Sequence, residues 1–182
     1  MKLKLLAAVL FLQTAWILGT VIQQETVLQL GKMVLLETQP VDPRDPLRGD
    51  FVQLHYKVSN LARGRFSPPL TNDLAAGTRV YVILTPTGTN GFWDISRASL
   101  ERIKPRQSEV LLSGRSEPSW LATVGSVNVE YGIEKYFIAE GTGNPRGKLT
   151  VAVVVSRSGR GAIKDVFVDG KPYVEAVKNV DR

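Results

Sequence analysis

The stretch FVQLHYKV, residues 51–58, alternates between two sets of side chains over its whole length. Successive side chains of a β-strand point to opposite faces of the sheet, so this alternation is typical of a strand with one buried face. The face that we assign to the core carries Val52, Leu54, Tyr56 and Val58. The opposite, more polar face carries Phe51, Gln53, His55 and Lys57. The stretch therefore predicts a half-buried β-strand.

Several other segments have the composition of strands. RVYVILT (79–85) and LTVAVVV (149–155) are rich in β-branched residues, MVLLE (33–37) is a short apolar run, and VNVEY (127–131) alternates. AIKDVFV (162–168), Asp169-Gly170 and KPYV (171–174) predict a closing hairpin, because Asp-Gly supplies the positive φ values of a tight turn. The sequence therefore predicts one mostly β domain, of sandwich or barrel-like type, over residues 32–182.

A long apolar segment precedes this domain. The chain begins MKLKLLAAVLFLQTAWILGTVIQQE, and no charged residue occurs from Leu5 to Ile22. Eighteen residues of helix rise about 27 Å, close to the hydrocarbon thickness of a bilayer. The helical pattern continues to Gly31, a natural stop. Residues 1–31 are therefore predicted to form a transmembrane helix whose partner is the lipid bilayer.

Two features bear on the orientation and fate of this helix. Lys2 and Lys4 precede the uncharged span, which predicts a cytoplasmic N-terminus and a body on the exported side, periplasmic or extracellular. Leu18-Gly19-Thr20 is a poor cleavage site for a signal peptidase. We therefore expect an uncleaved, single-pass anchor in the cell membrane, with a cleaved signal peptide as the alternative.

The composition narrows the classes of function. The chain has a formal net charge of +6 and no run of five or six like charges, so we expect no nucleic-acid partner. A mildly basic surface favours anionic lipid headgroups or an acidic partner, although a solvated face is the simpler interpretation. The absence of cysteine excludes disulfides, thiol catalysis and thiolate metal sites.

The segment PVDPRDPLRGD, residues 40–50, leads into the motif strand, by which we mean residues 51–58. Pro43 and Pro46 fix their own φ and disfavour helix at Asp42 and Asp45. Aspartates ahead of proline can bond nearby backbone N–H groups as Asx turns. Gly49 then permits the conformation that enters the strand. We predict a rigid elbow between the strands at 33–37 and 51–58.

The acidic residues of the elbow raise the question of a cation. Asp42, Asp45 and Asp50 do not have the spacing of an EF-hand loop, and no glutamate closes the set. We interpret them as turn-stabilising residues, with Arg44 and Arg48 as candidates to pair with them. We expect no metal ion and no cofactor.

The motif strand also carries a resemblance to a known family. GDFVQLHY, residues 49–56, resembles the signature that names the GDYXXLXY family of membrane-anchored bacterial proteins, with Phe51 at the position of the first tyrosine. PVDPRDPLR upstream, YGIEKYF (131–137) and Glu140-Gly141 are also similar to the family. The resemblance implies a membrane-anchored domain that often accompanies polytopic membrane domains, and it implies no particular reaction. The predicted motif residues, structural or binding, are Asp42, Arg44, Asp45, Arg48, Gly49, Asp50, Phe51, Leu54 and Tyr56.

A second candidate site lies in the YGIEKYF block. Tyr131, Glu134, Tyr136 and Glu140 combine aromatic and acidic side chains, which suits a groove for a peptide or a sugar. The alternative, which we prefer, is a half-buried pair of strands with exposed acids, Glu130 among them.

Enzymatic sites are incomplete in the sequence. His55 is the single histidine and lies on the polar face of the motif strand, where a solvated histidine is expected. A Ser-Lys protease of the signal-peptidase type would need a serine soon after the anchor, and none occurs between Gln23 and Val58. EGTGNPRGKLT (140–150) lacks the phosphate-loop pattern at Thr142 and Leu149.

Two functions of different class follow. The preferred hypothesis is a non-enzymatic module that binds or assembles with a membrane or envelope partner, possible partners including a polytopic membrane protein. The alternative is an envelope hydrolase or processing enzyme that uses Asp50, His55 or a buried glutamate. A cleft that collects Asp50, His55 and either Glu130 or Glu134 would favour the enzyme.

Overall fold

A computed structural model describes residues 2–39, 51–88, 91–138 and 147–178. The predicted elbow at residues 40–50 and Glu140 lie outside the described residues. The described helices are α1 (Lys2–Leu30) and α2 (Tyr173–Lys178). The described strands are β1 (Lys32–Glu37), β2 (Phe51–Gln53), β3 (Asn60–Ala62), β4 (Arg79–Thr87), β5 (Phe92–Ser99), β6 (Val110–Ser116), β7 (Ser126–Glu130), β8 (Lys135–Phe137), β9 (Leu149–Val155), β10 (Gly161–Val168) and β11 (Lys171–Pro172).

Helix α1 is continuous and is long and apolar enough over Lys4–Ile22 to cross a membrane. The side chains of this span have no contact that buries them, as a lipid-facing helix requires. The hydroxyls of Thr14 and Thr20 donate to the carbonyls of Leu10 and Ile17, at 2.9 and 2.7 Å, so neither hydroxyl is left unsatisfied. The helix ends at Leu30, before the predicted stop at Gly31.

The mostly β class is confirmed by a nine-stranded sheet and a separate two-stranded ribbon within the described residues. The sheet order is β11-β10-β9-β1-β5-β4-β6-β7-β3, and β2 and β8 form the ribbon. Strand β1 pairs antiparallel with β9 and parallel with β5, which places the first strand after the anchor in the middle of the sheet. Ser113 in β6 donates its backbone N–H to Gly159 in the β9–β10 turn at 2.8 Å, so the sheet curls until distant strands meet.

One face of the curled sheet forms the core. Val34 and Leu36 of β1 point into it, together with alternate valines of β9 and with Val80, Val82 and Leu84 of β4. The motif strand and the YGIEKYF block pack on the same cluster. The ribbon thus closes one side of the core.

The predicted closing hairpin is present, but its second arm is shorter than expected. Phe167 pairs with Pro172 and Val168 with Lys171 across the Asp169-Gly170 turn. Lys171–Val174 was expected to be a strand, whereas helix α2 begins at Tyr173. Pro172 has no N–H for the ladder and its fixed φ suits the residue ahead of a helix, which explains the change.

Candidate functional site

The motif strand alternates between buried and exposed positions as the sequence predicts. Val52, Leu54, Tyr56 and Val58 are buried, with Leu54 and Tyr56 at 0% and 1% exposure. His55 is exposed. The ladder of β2 ends at Gln53, and a turn of 3-10 helix covers Lys57–Ser59. Regular pairing is therefore shorter than the predicted strand, although the side-chain alternation extends to Val58.

Two tyrosines join the motif strand to the YGIEKYF block, and we call this contact the joint. The hydroxyl of Tyr56 donates to the carbonyl of Ile133 at 2.6 Å. The hydroxyl of Tyr131 donates to the carbonyl of Val58 at 2.5 Å. Burial, followed by the charge of Glu134, raises the pKa of both phenols, so both remain protonated donors at physiological pH.

Glu134 organises the loop that enters the joint. Its carboxylate accepts the N–H of Tyr131 at 2.5 Å and the N–H of Gly132 at 2.8 Å. Its own carbonyl accepts the N–H of Leu54 at 2.7 Å. Burial raises the pKa of Glu134, and the N–H donors oppose that rise. The half-buried carboxylate of Glu134 is therefore already bound to the backbone of its own loop.

The edge of the motif strand that faces away from the YGIEKYF block is bonded to the end of β1. Gln39 donates its N–H to the carbonyl of His55 at 2.7 Å, and Thr38 forms an antiparallel bridge with Tyr56. The Thr38 hydroxyl donates to the carbonyl of Leu149, at the start of β9, at 2.7 Å. The motif strand therefore lies between β1 and the YGIEKYF block, and its matched residues Leu54 and Tyr56 occupy structural positions.

The residues of the predicted groove that the structure describes do not share one environment. Tyr131 is buried and Glu134 is half-buried, both within the joint. Tyr136 is half-buried and meets the ring of Tyr173 edge-on, with centroids 5.5 Å apart. Glu140 lies outside the described residues. Contact between these side chains and a ligand stays a prediction.

A cleft that the sequence did not reveal opens on the outer face of the sheet, and we call it the outer cleft. It has a volume of about 410 Å³. Its walls and rim are formed by Leu35, Phe92, Lys148, Thr150, Phe167, Asp169 and Gly170. These residues come from β1, β5, β9, β10, the β10–β11 turn and the residue before β9, so only the pairing of distant strands assembles them.

Charged groups stand on the rim of the outer cleft. The Lys148 ammonium lies 5.7 Å from the centroid of the Phe92 ring and donates to the carboxylate of Glu37. Lys57, from the motif strand, donates to the same carboxylate. Hydrogen bonds from Lys148 and then Lys57 lower the pKa of Glu37, which keeps it ionised. The cleft thus combines apolar walls with an ionic rim, a lining typical of ligand and partner sites.

Three groups of the hypothetical enzyme, His55, Glu130 and Glu134, lie away from the outer cleft. His55 and Glu130 are exposed. Asp50 lies outside the described residues. Within the described ranges, no group of three or more histidine, cysteine, aspartate or glutamate side chains could hold a metal ion.

Comparison with known proteins gives one family. The family model described as GDYXXLXY protein matches residues 13–166, from within α1 to within β10. No curated protein and no solved structure matches the chain significantly. The match covers the motif strand, the joint and most of the described sheet.

Proposed function

The chain belongs to the GDYXXLXY protein family, and we propose that it is a membrane-anchored, extracytoplasmic β module that binds a membrane or envelope partner without catalysing a reaction. The binding surface that we assign to this partner is the outer cleft. The partner class that fits a module held at the bilayer surface is a membrane protein with exported loops, including a polytopic one.

The observation that carries this proposal is the short connection between α1 and the sheet. Only Gly31 separates the end of α1 from the start of β1. Helix α1 also lies close to β9 and β10, and Leu28 and Gly31 are half-buried. A flexible tether would let the body sample a wide volume, whereas this connection holds it close to the membrane. A neighbouring membrane protein is the partner that such placement favours.

The chemistry of the described side chains supports binding. At the joint, Tyr56 and Tyr131 donate to fixed backbone carbonyls, and Glu134 accepts from fixed backbone N–H groups. The outer cleft offers Phe92 and Phe167 as aromatic walls, and aromatic side chains are enriched where protein partners bind. Lys148, which donates to Glu37, and Asp169, which accepts the Lys148 N–H at 2.9 Å, give the rim charged groups in fixed positions.

The exported orientation is tested most directly with a single cysteine, because the chain has none of its own. Lys171→Cys places a thiol on an exposed position of β11. We expect a membrane-impermeant maleimide to label it in intact spheroplasts as completely as in permeabilised ones. Labelling only after permeabilisation would contradict the orientation that Lys2 and Lys4 predict.

Photo-crosslinking tests the binding function in the native membrane. Benzoylphenylalanine is incorporated into the full-length protein at position 92 or 167, in the outer cleft, with position 137 as the control. Phe137 is an exposed aromatic residue of β8 outside the cleft. We expect a discrete crosslinked protein, identified by mass spectrometry, from positions 92 and 167. Crosslinking from position 137 alone would instead favour the predicted groove around Tyr136.

A further inference from the structure

A cluster of basic side chains surrounds the place where α1 enters the sheet. Lys32 is the first residue of β1 and pairs with Val155, the last residue of β9. The β9–β10 turn, residues 156–160, therefore lies beside the end of α1. The Lys32 ammonium also donates to the carbonyl of Gln107 at 3.4 Å, which brings the β5–β6 loop to the same place.

The two loops are joined to each other as well. Arg102 of the β5–β6 loop donates to the carbonyl of Arg157 in the β9–β10 turn at 3.3 Å. We define the basic surface as the exposed cations of these loops and β1, which are Lys32, Arg102, Lys104, Arg106, Arg157 and Arg160. The loops at 100–108 and 156–160 contain one acidic residue, Glu101. The neighbouring Glu109 carboxylate already accepts two hydrogen bonds from the Arg97 guanidinium. The Glu25 carboxylate of α1 accepts a hydrogen bond from the Gln29 side chain.

The height of this surface above the bilayer follows from helix geometry. The apolar span ends at Ile22, and the remaining turns to Leu30 extend about 12 Å along the helix axis. The polar layer of a bilayer is about 5–8 Å thick on each side, and a tilted helix rises less. The loops therefore begin within a few ångströms of the headgroups, inside the Debye length of about 8 Å at physiological ionic strength.

We propose that the basic surface binds anionic phospholipid headgroups of the leaflet from which α1 emerges. The anchor fixes the position of the module in the membrane, and the basic surface fixes its tilt and rotation. This inference rests on the membrane attachment of the proposed function and adds the lipid class that the body recognises. A single helix leaves the body free to rotate about the helix axis. Cations near the headgroups give the body a second attachment to the membrane, which restricts that rotation.

The test uses full-length protein in nanodiscs of phosphatidylcholine, with or without about a third of phosphatidylglycerol. A nitroxide on Ser158→Cys, an exposed position in the β9–β10 turn, reports contact with an aqueous nickel relaxant. We expect phosphatidylglycerol to reduce the accessibility of the label at least two-fold, and 1 M salt to restore it. The variant R102Q/K104Q/R157Q should lose the effect. The variant R79Q/K164Q/K171Q, which removes three exposed cations elsewhere on the sheet, should keep it.

Incorporation into the discs is scored separately by co-elution with the lipid. Equal accessibility in both lipids, for protein that has incorporated, would overturn the headgroup proposal and leave membrane attachment standing. Failure to incorporate would overturn both. Protection that requires an added membrane-protein extract and ignores the lipid would assign the surface to an acidic protein, which also contradicts the proposal.

Discussion

Tyr56 and Tyr131 connect the same two segments in opposite directions. The Tyr56 hydroxyl donates to the carbonyl of Ile133, and the Tyr131 hydroxyl donates to the carbonyl of Val58. Both bonds extend the antiparallel pair beyond Leu54 and Glu134, where the Leu54 N–H donates to the Glu134 carbonyl. The tyrosine that ends the family signature therefore serves, in this chain, to hold the motif strand against the YGIEKYF block.

The first prediction concerns these two hydroxyls. Tyr56→Phe and Tyr131→Phe each leave a buried carbonyl without its donor, so each should reduce the free energy of unfolding by about 1–3 kcal/mol. The double variant should lose less than the sum, because one broken bond already loosens the segment that the other holds. Urea unfolding of the full-length protein in mild detergent, followed by near-ultraviolet circular dichroism, measures all three. Strict additivity would show that the two bonds act independently.

The second prediction separates the two faces of the motif strand. Leu54 is fully buried in the core, so Leu54→Ala should cost roughly 2–5 kcal/mol. His55 is its exposed neighbour, and His55→Ala should change stability by less than about 0.5 kcal/mol. The same unfolding measurement compares them. A silent Leu54→Ala with a destabilised His55→Ala would mean that the core face is the other one.

Side-chain alternation was the part of the fold that the sequence could predict. Residues 52–58 alternate in the structure as their apolar pattern predicts, and β9 has the predicted bounds Leu149–Val155. Both signals are local, because the period of a strand and a run of β-branched residues are written in consecutive residues. The helix stop at Gly31 is local in the same way.

The parts of the fold that the sequence could not predict depend on pairing between strands that are far apart in the chain. Strand β5, FWDISRAS, has charged residues and no clean alternation, and it forms a strand because β4 pairs along its length. Strand β6 was also missed, since Gly114 and Arg115 interrupt its apolar run. The outer cleft needs β1 beside both β5 and β9, an arrangement that no local pattern encodes. The joint was missed for the same reason, because Tyr56 and Ile133 are 77 residues apart.

The third prediction uses a glycine that another strand approaches closely. A Cβ on Gly114 would lie 2.5 Å from the Val129 side chain, 2.6 Å from the carbonyl oxygen of Glu130 and 2.9 Å from the ring of Tyr131. Gly114→Ala should therefore cost about 1–3 kcal/mol, since a backbone atom cannot move aside easily. Gly64→Ala is the control, because a Cβ there meets nothing within 4 Å. Equal melting temperatures for the two variants would disprove the close approach of β6 and β7.

The fourth prediction concerns acid stability and the pair of Arg97 with Glu109. The guanidinium donates two hydrogen bonds to the carboxylate, at 2.7 and 2.8 Å, and the N–H of Arg106 adds a third at 2.8 Å. The Glu109 side chain is only 5% exposed. The hydrogen bonds from Arg97 and then Arg106 lower the pKa of Glu109 from 4.5 to about 2.

The sign of the effect follows from that lowered pKa. In the unfolded chain the Glu109 carboxyl takes up its proton near its ordinary pKa of 4.5, whereas in the folded protein it does so near 2. Glu109 therefore stabilises the fold above pH 4.5, and this contribution is lost as the pH falls from 4.5 to 2. Glu134 has a raised pKa, so its contribution has the opposite sign and is lost as the pH rises. Comparison of wild type with Glu109→Gln at each pH removes the part due to Glu134.

Glu109→Gln cannot titrate and retains one acceptor oxygen for the Arg97 fork. It should be less stable than wild type at neutral pH, and the difference between the two should shrink steadily below pH 4.5. Glu101→Gln removes the same charge from an exposed side chain of the same loop, and its difference from wild type should be small throughout. Urea midpoints measured from pH 7 to pH 2 test this. The difference in urea midpoint between wild type and Glu109→Gln could instead stay constant over that range. That result would show that the pair of Arg97 with Glu109 does not couple folding to protonation.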